Sequence, residues 1–218
     1  MLKLSIRYGW VSGVQQTFLY VGRLLVQGAV NPLGTSVVAA YNAATRIEGF
    51  VLAPFDSMSA TISTYCAHNV GARQPERIRR GYRITFWINL GFAFVFCLIL
   101  ILGGKFLLSL FVHEGDATTI VDIGYQYLFP MAFACMLPGI CNITQGFFRG
   151  MGHLKIAMSA TCLQIVLRVI ASYQIIPLLG VAGACYASVI GWTVMIAFSL
   201  WRIRHLFRHL ATELPTTL

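Results

Sequence analysis

Six long apolar runs, separated by short polar or charged segments, dominate this sequence. A helix needs about 20 mostly apolar residues to cross the hydrocarbon core of a membrane. Because lipid offers no hydrogen-bond partner to unpaired backbone amides, such runs must be helical. The runs predict spans at 8–30, 36–62, 84–104, 123–146, 156–177 and 181–201. The sequence therefore predicts an all-α integral membrane protein in which residues 1–218 form one lobe of six transmembrane helices.

The composition agrees with a protein whose surface faces lipid. Of the 218 residues, 57% are hydrophobic and 11% are charged, and the mean hydropathy is +0.73. Soluble domains carry about 25% charged residues. The net charge of +9 does not indicate a nucleic-acid partner, because the basic residues occur in short clusters between spans and no polar domain exists to carry them. The expected partner is the lipid bilayer.

Lysine and arginine are distributed unevenly between the two sides of the predicted bundle. Twelve fall on one side, in the N-terminal segment, the loops 63–83 and 147–155, and the C-terminal tail 202–218. Lys105 alone falls on the other side. Since basic loops remain in the cytoplasm, we expect both termini to be cytoplasmic and the chain to be a multi-pass protein of the plasma or inner membrane.

Polar side chains recur at helical spacing inside the predicted spans. Those that we assign to a cavity face are Gln16, Tyr20, Arg23, Asn42, Arg46, Glu48, Asp56, Gln164 and Arg168. Glu48 is displaced by about 200° from Arg46 around the helix, so we expect it to meet a neighbouring helix. Polar groups are costly in lipid and tend to mark transport pathways. The alternative is that they form interhelical hydrogen bonds that hold the bundle together.

The charged members of this set suggest an ion switch. Two arginines and two acids can neutralise one another, and a buried acid that exchanges an arginine partner for a proton or cation can couple to an ion gradient. We therefore predict ion coupling or salt-bridge switching for Glu48, Arg46 and Asp56. The predicted substrate contacts are Gln16, Tyr20, Arg23, Asn42, Gln164 and Arg168.

Motifs for enzymatic catalysis and ATP binding are missing from the sequence. It contains no GxSxG, HExxH, GxGxxG or GxxxxGK[ST] pattern, and no cysteine or histidine set has typical metal-ligand spacing. We therefore predict a protein that is not an enzyme and has no metal or cofactor. Energy for transport is expected to come from an H⁺ or Na⁺ gradient.

Two loop sequences resemble those of the multidrug and toxic compound extrusion (MATE) family. The stretch HNVGARQPERIRRGYR at 68–83 is similar to the loop after the eighth helix of that family. GFFRGMGHLKIAM at 146–158 is similar to the loop after the tenth helix. GVQQTFLYVGRLLVQGAVNPLG at 13–34 resembles the start of the seventh helix in the DNA-damage-inducible (DinF-like) branch.

The resemblance implies that the chain is the C-terminal half, helices seven to twelve, of a twelve-helix transporter. It also implies antiport of organic cations, drugs or metabolites against H⁺ or Na⁺, through a cavity between two lobes that rock in alternating access. The partners would be a small-molecule substrate and either the missing N-terminal lobe or a second copy of this lobe. Asn69, Gly71 and Arg77 would shape a cytoplasmic gate loop, with Gly71 turning the chain out of the helix.

Two alternatives stay open at this point. A lipid or lipid-linked oligosaccharide flippase of the same superfamily needs a cationic cavity, and the three intramembrane arginines permit one. A non-transporting membrane subunit, or the remnant of a broken gene, is the second alternative. The chain is also open to interpretation as a fragment or as one product of a split gene.

Overall fold

The structure, a computed structural model, describes residues 2–112 and 117–213, and within these ranges it is helical and contains no β-strand. The helices are α1 (Leu2–Val30), α2 (Thr35–Gly71), α3 (Pro75–Ser109), α4 (Ala117–Ala134), α5 (Met136–Gly150), α6 (Leu154–Leu179) and α7 (Ala182–Glu213). A short 3-10 helix, Asn31–Leu33, joins α1 to α2. The predicted all-α class is confirmed. The last five residues of the predicted tail lie outside the described residues.

The fourth predicted span, 123–146, is not one continuous helix. It is divided into α4 and α5, which are bent by 55° at a break beside Cys135. Pro138 explains the position of the break. Its nitrogen has no proton to donate to the carbonyl of Ala134, and its ring crowds that carbonyl.

Helix α3 contacts the bent pair on both sides of the break. The thiol of Cys135 donates a hydrogen bond to the backbone carbonyl of Ala93 at 3.2 Å. One α-helical turn earlier on α3, Asn89 Nδ2 donates to the carbonyl of Gly139 at 3.3 Å. Gly139 has no Cβ, and an added one would collide with the Asn89 amide. α3 therefore holds the bend in place.

The segments predicted as loops at 63–83 and 147–155 are mostly helical, which corrects their predicted extent. α2 continues to Gly71, and α3 begins at Pro75, whose fixed φ suits the first position of a helix. Only 72–74 and 151–153 connect the helices at these two places. The membrane boundaries and the side on which the termini lie stay predictions.

Close helix packing surrounds the region where the polar side chains meet. α6 packs along α7, α2 along α5, and α1 along α6. On α5, Gly146 and Gly150 face α2 so closely that an added Cβ would collide with the backbone carbonyls of Ser59 and Ser63. Small residues four positions apart let helices approach in membrane proteins. The buried aromatic residue Phe55 and its neighbours fill the core beside this contact.

The outer surface carries many large apolar side chains, which is typical of a surface in contact with lipid. Three helices are long and apolar enough to cross a membrane, Pro75–Ser109, Leu154–Leu179 and Ala182–Arg204, and the bent α4–α5 pair provides a fourth. α1 and α2 are not among these four, and they carry most of the predicted polar residues. The predicted count of six spans therefore stays a prediction.

Candidate functional site

A polar cavity of about 490 Å³ lies where α1, α2, α5, α6 and α7 meet. Its polar and charged lining residues are Gln15, Gln16, Tyr20, Arg23, Glu48, Asp56, Ser59, Asn142, Gln145, Arg149, Thr161, Gln164 and Arg168. Apolar side chains, among them Leu19, Ile165, Trp192 and Met195, complete the wall. This volume lies within the range of small-molecule pockets, about 300–1,000 Å³.

A second cavity of about 200 Å³ adjoins the first. The two share Arg23, Glu48, Leu52 and Arg168 as lining residues. The second cavity adds Gln27, Tyr41, Thr45, Arg46 and Gly49. Glu48 and Arg168 therefore stand at the junction between the two spaces, where a change in either charge affects both.

Glu48 is a buried carboxylate held by a helix other than its own. Its side chain is 8% exposed, and its Oε2 accepts a 2.6 Å hydrogen bond from the hydroxyl of Tyr127 on α4. Tyr127 is itself fully buried and packs edge-on against Tyr41. A carboxylate far from water is costly unless it is hydrogen-bonded or paired. The Tyr127 hydroxyl supplies such a bond.

Arg168, like Glu48, lines both cavities. Its position on α6 is fixed by α7. Gly191 faces it so closely that an added Cβ would lie 3.3 Å from Arg168 Cβ and 2.9 Å from the carbonyl of Gln164. A side chain at position 191 would therefore disturb the close packing of α7 on α6.

A second acidic residue, Asp56, lies two turns beyond Glu48 on the same face of α2. Asn142 Nδ2 donates a 2.8 Å hydrogen bond to Asp56 Oδ1. Below it, Arg149 Nη2 donates to Ser59 Oγ at 2.8 Å, and that hydroxyl donates to the carbonyl of Asn142 at 2.5 Å. These bonds tie α2 to α5 along the cavity wall.

Three uncharged residues join α1, α5 and α6 on the opposite wall. Gln15 Nε2 donates to Thr161 Oγ1 at 2.7 Å and to Gln145 Oε1 at 3.3 Å. Gln145 Nε2 in turn donates to Thr161 Oγ1 at 3.0 Å. This network agrees with the alternative role given above for polar side chains inside the spans, in which interhelical hydrogen bonds hold the bundle together.

The charges around the cavity do not pair directly. Among the side chains that the structure describes, the one ion pair within 4.0 Å joins Lys105 to Asp122 at the surface. Within the same set, no three histidine, cysteine or acidic side chains lie close enough to hold a metal ion. The arginines and acids of the cavity interact over longer distances through a polar space.

The family is decided by a comparison with known sequence families. The MatE family model matches residues 12–174, which is most of the chain. This chain is a member of the MATE family. MATE proteins are integral membrane proteins of a transporter family, which supports the predicted class of protein and the prediction that it is not an enzyme.

Related proteins agree with this assignment. A probable multidrug resistance protein of Bacillus subtilis (strain 168), YoeA, is 23% identical over 152 residues, which are 70% of this chain and 32% of YoeA. Among solved structures, the outward-facing conformation of a multidrug resistance MATE family transporter of the MOP superfamily has a TM-score of 0.82 at 20% identity. It is matched over 91% of this chain and 44% of its own length.

A MOP superfamily transporter from Pyrococcus furiosus Vc1 (DSM3638), in which reverse polarity of the binding pocket suggests a different function, has a TM-score of 0.81 at 21% identity. The match covers 98% of this chain and 46% of that one. At these identities the likeness shows the fold. This MATE chain spans less than half the length of the relatives that it matches.

Most of the predicted cavity residues of this MATE chain do come together. Gln16, Tyr20, Arg23, Glu48, Asp56, Gln164 and Arg168 line the larger cavity, and Arg46 lines the smaller one. Asn42 lines neither cavity. It is exposed, whereas its neighbour Tyr41 is buried and lines the smaller cavity. The expectation that Glu48 meets a neighbouring helix is confirmed by its bond to Tyr127.

The structure adds residues that the sequence did not single out for the site. Tyr127 and Tyr41 contribute hydroxyl groups beside Glu48 and Arg168. Gln15 belongs to the network with Thr161. The polar residues Asn142, Gln145 and Arg149, spaced three and four residues apart on α5, gave a helical signal that could have placed them at the cavity.

The turn between α2 and α3 differs in detail from the predicted gate loop. Gly71 is the last residue of α2, and the left-handed residue is Arg73, with φ of 54°. The turn at Gly71 was therefore wrongly placed. Asn69 is buried, and its side-chain amide donates to the carbonyl of Tyr65, one turn earlier on α2, at 2.8 Å.

Arg77 enters this turn through its backbone. Its carbonyl accepts a 3.2 Å hydrogen bond from the hydroxyl of Tyr65, while its side chain is exposed. An added Cβ at Gly81 would collide with the Tyr65 ring, so this glycine lets α3 pack on α2. The gate role of Asn69, Gly71 and Arg77 stays a prediction.

Proposed function

We propose that this chain is the C-terminal lobe of a DinF-like MATE transporter that exports organic cations, drugs or metabolites in exchange for H⁺ or Na⁺ across the cytoplasmic membrane. Glu48 is the observation that carries the proposal. It is a buried carboxylate at the junction of two polar cavities, inside a bundle whose outer surface is apolar. Such groups inside membranes are typical of ion and substrate pathways.

In the proposed mechanism, Glu48 takes up and releases the coupling ion. Ionised Glu48 is stabilised by the Tyr127 hydroxyl and by the field of Arg168. When a proton or Na⁺ neutralises the carboxylate, the attraction to Arg168 is lost and the balance of charge in both cavities changes. Arg46 and Asp56 are the neighbouring charged residues whose interactions would change when Glu48 is neutralised.

Substrate would bind in the larger cavity, in contact with Gln16, Tyr20 and Arg23 on α1 and with Gln164 and Arg168 on α6. Alternating access needs a second lobe, since the two halves of such transporters rock against each other around a shared site. The proposed partner is an N-terminal lobe or a second copy of this chain. The turn with Asn69, Gly71 and Arg77 would form part of the cytoplasmic gate.

A flippase for a lipid or a lipid-linked oligosaccharide is the second candidate. The observation that favours it is the presence of Arg23, Arg149 and Arg168 around one cavity, because such substrates carry phosphate groups. A membrane subunit without transport activity is the remaining alternative, and it predicts neither substrate binding nor gradient dependence.

The test is efflux of a fluorescent organic ion from efflux-deficient cells that produce this chain, with the ion gradients intact or collapsed by ionophores. Gradient-dependent efflux supports the proposed transport and shows that the lobe works without a separate half. If the chain is inserted in the membrane and no efflux occurs, the assay is repeated with an added N-terminal lobe. Absence of efflux there too contradicts the proposal.

A further inference from the structure

The larger cavity has more hydrogen-bond donors than acceptors among its charged groups. Three arginines line it, Arg23, Arg149 and Arg168, against the two acids Glu48 and Asp56. Both acids already accept hydrogen bonds from neutral donors, Glu48 from Tyr127 and Asp56 from Asn142. Neither acid is within 4.0 Å of an arginine nitrogen, since the one ion pair among the described side chains lies elsewhere.

Two of these arginines keep buried donors that the described part of the protein does not satisfy. Arg149 donates from Nη2 to Ser59, but its Nε is buried without a hydrogen-bond partner among the described residues. The Nε of Arg168 is in the same situation. A buried N–H group without an acceptor is unfavourable, and more so when it is charged. The excess of positive charge among the lining residues favours a ligand that brings an acidic group into the cavity.

The two guanidinium groups come from different helices. Gly191 on α7 packs close to the Cβ of Arg168 on α6, and the Arg149 guanidinium on α5 donates a hydrogen bond to Ser59 on α2. A planar guanidinium binds carboxylate, sulfonate and phosphate groups through paired hydrogen bonds. The remaining wall, with Ile165, Trp192 and Met195, offers contact to an apolar body.

Resting on the proposed transport function, we infer that the substrate is an amphipathic molecule with an acidic group, either an anion or a zwitterion, that binds to Arg168 and Arg149. The acidic group accepts hydrogen bonds from these two guanidinium groups, which line the cavity. The apolar body packs beside Trp192 and Ile165. In a zwitterion, the cationic group is directed to the side of Asp56 and Glu48.

Binding is tested on the purified chain in nanodiscs of zwitterionic lipid, with two probes that share a ring and differ in charge. These are naphthalene-1-sulfonate and (1-naphthylmethyl)trimethylammonium, measured by equilibrium dialysis at fixed ionic strength. The sulfonate is expected to bind about tenfold more tightly, a difference of about 1.4 kcal/mol. Equal affinity, or tighter binding of the ammonium probe, overturns the inference.

Variants assign the selectivity to the two arginines. Arg168→Gln and Arg149→Gln should each weaken sulfonate binding about tenfold without weakening binding of the ammonium probe, by loss of one charged hydrogen-bond group. Arg83→Gln is the matched control, since Arg83 is exposed on α3 and lines neither cavity. If one arginine variant does not insert stably, the other decides, together with Arg168→Lys, which keeps the charge and loses the planar group. Unchanged sulfonate affinity in the folded variants overturns the inference.

Two further experiments are needed. The first asks whether the acidic group belongs to a lipid or to a small molecule, and the second separates this inference from the transport proposal. Phosphatidylglycerol is added to the nanodiscs, and the affinity for the sulfonate probe is measured again. A weaker affinity means that an acidic lipid headgroup occupies the site. An unchanged affinity assigns the site to an acidic small molecule. In the efflux assay, export of the ammonium probe without export of the sulfonate leaves transport supported and overturns the acidic substrate class. Sulfonate binding that depends on Arg168, with no export of either probe in the presence of both lobes, supports the binding class and contradicts transport.

Discussion

The hydroxyl of Tyr127 on α4 donates a 2.6 Å hydrogen bond to Oε2 of Glu48 on α2. Both side chains are buried, at 0% and 8% exposure. The bond connects α2, which carries both acidic residues of the larger cavity, to α4 of the bent α4–α5 pair. Because a hydrogen bond to a charged acceptor is stronger than one to a neutral acceptor, the charge on Glu48 affects how firmly α4 is held to α2.

Removal of this hydroxyl should weaken the fold measurably. Tyr127→Phe leaves the ring in place and deprives a buried carboxylate of its donor, so we expect a loss of about 1–3 kcal/mol in the free energy of unfolding. Thermal unfolding in detergent measures it. Tyr125→Phe is the comparison, because Tyr125 donates at 3.3 Å to a neutral carbonyl of Ile101 and should cost less. An equal decrease in the free energy of unfolding in both variants would contradict the claim that the bond from Tyr127 to Glu48 stabilises the fold more than a bond to a neutral carbonyl.

The contact between α2 and α5 should not tolerate a methyl group at Gly146. In Gly146→Ala the new Cβ would collide with the backbone carbonyl of Ser59, which cannot move as a side chain can. We expect a destabilisation of about 1–3 kcal/mol from overpacking. Gly91→Ala is the matched control, since Gly91 is also helical and nothing lies within 4 Å of an added Cβ. Similar melting temperatures for the two variants would show that the helices are not in close contact at Gly146.

Acidification should destabilise the turn between α5 and α6 through His153. Burial lowers the pKa of His153 below its ordinary value, and repulsion from Arg202 lowers it further. The unfolded chain therefore binds a proton near pH 6.5 that the folded chain resists, so stability falls as the pH drops through that value. The difference in melting temperature between about pH 7.5 and about pH 5 should shrink in His153→Gln.

His68→Gln serves as the control for that experiment, because His68 is exposed on α2. An undiminished acid-induced loss in His153→Gln would assign the effect to other groups.

Helical periodicity was sufficient to predict much of the site. The stripe Gln16, Tyr20 and Arg23 does line the cavity, and the angular offset between Arg46 and Glu48 correctly directed Glu48 to another helix. These predictions worked because residues on one helix keep a fixed angular relation whatever the helix packs against. The break at Cys135 was missed, although Pro138 carried a local signal for it.

Contacts between helices could not be predicted from the residue pattern of each span taken separately. Tyr127 occurs in an apolar run without any polar periodicity, and its role depends on α4 packing against α2. Asn42 has the correct residue type and spacing, but it is exposed, and Tyr41 beside it lines the cavity instead. The turn at Arg73 was misplaced to Gly71, because the choice among neighbouring residues depends on how α3 packs at Gly81 and Tyr65.

The most direct test of Glu48 as the coupling group is gradient-driven export by a Glu48→Gln variant. The glutamine keeps the size of the side chain and an acceptor oxygen for Tyr127 but removes the ionisable group, so the fold should be retained. Export of a fluorescent substrate is measured in vesicles with an imposed H⁺ or Na⁺ gradient, together with the amount of inserted protein and the affinity for the substrate. We predict that gradient-driven export is abolished, whereas insertion is unchanged. Export at the rate of the unchanged protein, at equal insertion, would contradict a role for Glu48 in coupling.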